Sequence, residues 1–138
     1  MPIFMKFGSV RGDAKGKYKG WIELQSAQFG IAPNGNGHSA SPSQGLSEIV
    51  CAKQQDSSSS ELLRNSLWGE GVEVTIEFVR PGFLQTPYLK VDLENVLITN
   101  YAPSGHGGSA QDRPAEDFSL NYTKKTMTVI AVSVPTRQ

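Results

Sequence analysis

The sequence predicts a mainly β protein: a small β-barrel of two packed antiparallel sheets with one flanking α-helix at about residues 57–68. Three observations carry that prediction. Apolar and polar residues alternate with period 2 through most of the chain, a single stretch shows helical spacing, and Gly- and Pro-rich segments separate the runs. With 138 residues the chain suits one hydrophobic core, and 1–138 reads as a single domain.

The clearest strand is Val72-Glu73-Val74-Thr75-Ile76-Glu77-Phe78, with four apolar residues on one face and Glu73, Thr75 and Glu77 on the other. Leu89, Val91 and Leu93 alternate with Lys90, Asp92 and Glu94 in the same way. The phase breaks at Asn95 before Val96-Leu97-Ile98, which predicts a bulge or a bend between sheets. Phe118, Leu120 and Tyr122 share one face, and Met127, Val129 and Ala131 take the opposite parity. One long strand that serves two sheets would produce that switch. Further strands are expected at about Ile3 to Ser9, Trp21 to Phe29 and Leu46 to Lys53. The helix follows Asp56 and a serine run. Ser58 and Glu61 have capping-box spacing, Leu63 and Leu67 form an i,i+4 pair to pack on the sheet, and Gly69 is placed for a left-handed stop. Residues 30–45 and 102–116 lack periodicity and read as long loops.

Lys plus Arg and Asp plus Glu are 13 each, so the net charge is zero and no basic excess argues for nucleic acid. No apolar stretch is long enough to span a bilayer. Cys51, the single cysteine, has no internal disulfide partner and reads as a small buried hydrophobe. The N-terminus lacks the features of a signal peptide. The expectation is synthesis in the cytoplasm, with export only by a route that cleaves no signal.

Little in the sequence carries chemistry. His38 and His106 both lie in Gly-rich loops, outside any strand-turn-helix elbow, and no nucleophile, zinc or phosphate-binding signature is present. Glu73, Glu77, Asp92 and Glu94 alternate with apolar residues and read as the wet face of a sheet. Trp21 and Trp68 stand where core or interface anchors are expected. No catalytic residue, cofactor or metal site is expected, and the chain does not read as an enzyme.

Five segments in order resemble the Hcp family of type VI secretion tube proteins. Phe4-Met5-Lys6-Phe7-Gly8 to Gly12-Asp13 is similar to that family's opening strand and turn, and Ile22 to Phe29-Gly30 to its second strand. Asp56 to Leu63 resembles the start of its single helix, and Tyr88-Leu89-Lys90-Val91-Asp92-Leu93-Glu94-Asn95-Val96-Leu97-Ile98 its long strand, with Asn95 where Asp is commoner. Ser104-Gly105 to Gly108, Arg113, Glu116 and Phe118 to Tyr122 resemble its Gly-rich loop and closing strand. The resemblance implies rings of six identical subunits that stack into a hollow tube inside a contractile sheath. It also implies a spike protein at the tip and small effector proteins in the lumen.

Within that frame Glu23, Gln25 and Gln28 are candidates to face the lumen, Gln28 only if the strand bulges near Ser26. Asn34, Asn36, His38, Ser41 and Ser43 are candidates for an inter-subunit loop. Zero net charge removes the self-repulsion of a polymer, and strands 72–79 and 118–131 have no central proline to block edge pairing. These last two features also suit a monomer. The alternative function is therefore a monomeric β-barrel ligand-binding module, with a small hydrolase around His106 a distant third.

Overall fold

The computed structural model describes residues 1–29, 48–82, 84–105, 107 and 113–130. Among these, the strands are β1 (Ile3–Phe7), β2 (Ile22–Leu24), β3 (Ser26–Phe29), β4 (Ile49–Gln54), β5 (Val72–Val79), β6 (Pro87–Ser104), β7 (Ala115–Asn121) and β8 (Lys124–Val129). One helix, α1 (Ser59–Trp68), lies between β4 and β5. The predicted mainly β fold with a single flanking helix is present.

Hydrogen bonding follows the order β2-β1-β5-β6-β7-β4-β3, with β8 also on β6, and every pairing is antiparallel. The expected barrel of two sheets is thus one sheet whose ladder does not close. Its end strands, β2 and β3, are consecutive in the chain and are separated by Gln25 alone. There the chain changes partner from β1 to β4, and the Gln25 amide donates to the Ala52 carbonyl at 2.7 Å.

β6 makes the wrap possible. Its first half pairs with β5 and β8, and its second half with β7. Two bulges separate these duties. Val72 faces Val96 while Val74 faces Leu93, and Thr99 faces Ser119 while Ala102 faces Asp117, so β6 carries one extra residue each time. Asn95 and Asn100 sit at these bulges with φ of 56° each, a conformation asparagine tolerates better than most residues. The bulge predicted at Asn95 is therefore real. Gly71 faces it, and a Cβ there would run into the Asn95 side chain and lie 3.1 Å from its Cα. The single long strand predicted at the end of the chain is instead two strands, β7 and β8, separated by Tyr122–Thr123 and paired with different halves of β6.

The main core draws Met5, Phe7, Ile22, Ile49, Ile76, Val91, Phe118 and Leu120 from the inner face. A smaller cluster forms outside, where Tyr18 stacks on Phe4 at 4.4 Å and Trp21 meets Tyr18 edge-on at 5.0 Å. The Tyr18 hydroxyl donates to Glu77 Oε1. β5 is paired on both sides, by β1 and β6. It is not the free edge that its lack of proline suggested.

The helix departs most from expectation. Leu62 is its buried apolar residue, whereas Leu63 and Leu67 are 45% and 58% exposed. The i,i+4 leucine pair does not pack on the sheet, because the inner face is held by Leu62 and two polar anchors, Ser59 and Asn65. The Asn65 carbonyl oxygen accepts from the Ile98 amide at 3.1 Å, which caps the bare edge of β6. The capping box is also displaced. Asp56 Oδ1 accepts from the Ser58 amide at 2.9 Å, and Ser59 Oγ accepts from the Asp56 amide at 3.0 Å, so Asp56 and Ser59 supply the side-chain acceptors expected of Ser58 and Glu61. Gly69 ends the helix with φ of −71° and ψ of 157°, not left-handed. Glycine is needed there because a Cβ would stand 2.5 Å from the Asn65 carbonyl oxygen. In the unassembled chain, Leu62→Ala should cost about 2–5 kcal/mol and Leu67→Ala within about 0.5 kcal/mol. Urea midpoints of the two variants check this.

Candidate functional site: an assembly surface

The change of phase between β2 and β3 comes from the change of partner at Gln25 and not from a bulge within one strand. Ile22 and Leu24 point into the core and Glu23 outward, and the phase then changes at Gln25–Ser26. Ala27 and Phe29 pack against the core, which leaves Gln28 exposed. Glu23, Gln25 and Gln28 are thus all solvent-facing. Glu23 and Gln25 border an open cleft of about 670 Å³ shared with Asp13, Lys15, Gln54 and Arg113. Ser57 donates to Asp13 and holds its carboxyl below the usual range. The Arg113 guanidinium is spent on the Gln55 carbonyl at 3.0 Å. Asn34, Asn36, His38, Ser41, Ser43 and His106 lie outside the described residues.

Beneath the helix start is a polar cluster that was not anticipated. Lys53 is fully buried, and its Nζ lies 2.7 Å from Glu116 Oε1, 3.0 Å from Asp56 Oδ1 and 3.2 Å from Ser59 Oγ. Ser59 Oγ donates in turn to Glu116 Oε1 at 3.0 Å. Burial, then the Glu116 carboxylate, push the nearby Tyr101 hydroxyl well above the usual phenol range. The pattern held a signal. Lys53 shares the inward parity of Ile49 and Cys51, Glu116 that of Phe118 and Leu120, and the two face each other in register. A charge on an apolar phase demands a buried counter-charge. Every fully buried side-chain polar atom among the described residues has a partner, so the cluster is structural and offers no reactive group.

Among the described residues no group of His, Cys, Asp and Glu is arranged to hold a metal ion. Glu73 and Glu94 are exposed as a wet face requires, whereas Asp92 and Glu77 are half-buried and accept from Thr75 at 2.8 Å and from the Tyr18 hydroxyl. Burial alone pushes the Cys51 thiol up to about 12.

The outer surface is more telling. Beside Leu63 and Leu67, Trp68 is 77% exposed, so the helix turns three apolar side chains away from the body. On β8, Met127 and Val129 are 43% and 76% exposed although they face the inward residues Val91 and Leu89 across the ladder. These two groups of exposed apolar side chains suit contact with a macromolecule better than a pocket for a small substrate.

A family model described as "Type VI secretion system effector, Hcp" matches residues 4–129. The chain belongs to the Hcp family. Hcp is a structural tube protein of the type VI secretion system, and its members are secreted. Solved Hcp structures share the fold. Hcp1 from Salmonella typhimurium superposes with a TM-score of 0.77 at 19% identity, covering 94% of this chain and 86% of that one. A type VI secretion system effector from Yersinia pestis gives 0.76 at 23% identity, covering 94% and 91%. Hcp1 from an enteroaggregative E. coli strain gives 0.77 at 20% identity, covering 94% and 92%. Among curated proteins none is similar enough in sequence to be matched. No helix among the described residues is long and apolar enough to cross a membrane.

Two predictions follow from the buried groups. Lys53→Met should cost about 3–5 kcal/mol by leaving Glu116 buried without a partner, and Lys53→Met with Glu116→Leu should recover much of that in urea unfolding. Cys51 keeps its proton in the fold, so that part of the stability is complete below the ordinary thiol range near pH 8.5. It is lost as pH rises from there toward about 12. Tyr18 and Tyr101, also raised, add to the loss at higher pH. Alkaline titration of the unfolding midpoint in wild type and Cys51→Val should show a shallower fall for the variant.

Proposed function

We propose that this chain is the subunit of a type VI secretion tube, assembling as rings of six that stack into a hollow conduit and carry small effector proteins in the lumen. The observation that supports this best is the Hcp family match over residues 4–129. The apolar surface on α1 and β8 fits a subunit whose final environment is another copy of itself. In this reading the protein is made in the cytoplasm and leaves without a cleaved signal, beneath a spike protein at the tip and inside a contractile sheath. Binding of nucleic acid and insertion into a membrane form no part of it. Glu23, Gln25 and Gln28 are proposed to line the lumen, where a broad polar wall without a deep pocket suits varied cargo. Asn34, Asn36, His38, Ser41 and Ser43 are proposed to reach a neighbouring subunit.

The polar cleft beside Glu23 and Gln25 is the feature that favours the second reading, a monomeric binding module. Light scattering on the eluting protein separates the two. A species of six times the chain mass, seen as closed rings by negative-stain microscopy, is the expected result, and a monomer at tens of micromolar refutes the tube reading. In a ring, Gln25→Arg and Gln28→Arg should each add six charges to the lumen and reduce effector protection without changing the ring mass.

A further inference from the structure

We infer that the contact between neighbouring subunits places the Leu63–Leu67 flank of α1 from one copy over the Met127–Val129 strip of β8 in the next. The inference rests on the ring reading and says which surfaces close the ring. A ring contact is heterologous, so one chain must carry two different and complementary patches. Two groups stand out among the exposed apolar side chains of the described residues. The first is the helix flank, exposed because Leu62, Ser59 and Asn65 already hold the helix to the body.

The second is unusual in kind. Met127 and Val129 face Val91 and Leu89 in register, so they point toward the core side of the sheet. β8 pairs with β6 alone, and beyond it among the described residues no element continues the core to cover them. These residues have the orientation of core side chains and the exposure of surface ones.

The two patches do not meet within one chain. The helix is fastened at Ile98, whereas the strip lies beside Leu89 to Val91, about 25 Å away along β6. Charge favours their meeting between chains. Glu61 and Glu70 stand exposed at the two ends of the helix surface, with Arg64 between them. β8 opens with Lys124 and Lys125, and Lys124 is held only loosely by Glu94 at 3.8 Å. A negatively biased apolar helix therefore faces a positively biased apolar strand.

The test uses the full chain, whose native Cys51 is buried and serves as a silent background. Leu67→Cys, Val129→Cys and the double variant are treated with a short bismaleimide after their ring mass is confirmed. The double variant should give a ladder of covalent oligomers up to the ring size, while each single variant stays one chain long. Leu63→Asp should shift the main species from ring to monomer mass with its circular dichroism unchanged. Rings without a ladder in the double variant overturn the inference and leave the ring reading standing. That result is expected if residues 131–138 of the same chain, or a different partner, cover the strip. A cross-linked dimer from either single variant overturns it as well, because one thiol per chain can join only like with like. Rings that survive Leu63→Asp do the same. A wild-type monomer overturns the ring reading and this inference together.

Discussion

A single strand must satisfy three partners, and the fold is the solution to that constraint. β6 runs through 18 residues and forms ladders with β5, β7 and β8. A flat strand of that length would build a flat sheet with two long open margins. The bulges at Asn95 and Asn100 bend it instead, since an extra residue on one strand kinks the ladder and raises its twist. Each half then faces a different part of the core. Gly71 makes room for the first bulge, and the Asn65 side chain caps the margin left bare where β5 ends. Helix and sheet are therefore fitted to the same bend.

The Lys53 cluster is the second point at which parts depend on one another. It ties β4, β7 and the entrance of α1 through one ammonium group shared by two carboxylates. Such a cluster adds little net stability, because desolvating the charges offsets most of their attraction. Its effect on register is larger. A slip of one residue between β4 and β7 would point Lys53 or Glu116 to the wrong face and leave the other buried alone.

Strands with one wet face were legible in the sequence because burial imposes period 2 directly. Val72 to Phe78 and Leu89 to Leu93 read correctly for that reason, and the broken phase at Asn95 marked a true bulge. The helix was harder. Leu63 and Leu67 satisfy helical spacing as well as any core pair, yet a ten-residue helix anchored by polar groups need not hide its leucines in its own chain. Spacing reports which residues share a face, not what covers that face. Lys53 was overlooked for the converse reason, since a lysine at an apolar phase is usually taken as an error in the phase. β5 looked like an available edge because nothing in a strand's own residues names its neighbours. Of the candidate site, the outward direction of Glu23, Gln25 and Gln28 was accessible from parity and the change of phase near Ser26.

The isolation of Cys51 has a consequence for any large assembly built from this chain. It is the only sulfhydryl in the sequence, and the fold closes it off. A folded subunit therefore offers no accessible thiol to disulfide exchange or glutathione. An exposed thiol repeated on every copy of a polymer would let neighbouring polymers become joined at random once the surroundings turned oxidising. A shut one removes that route to cross-linking from every copy.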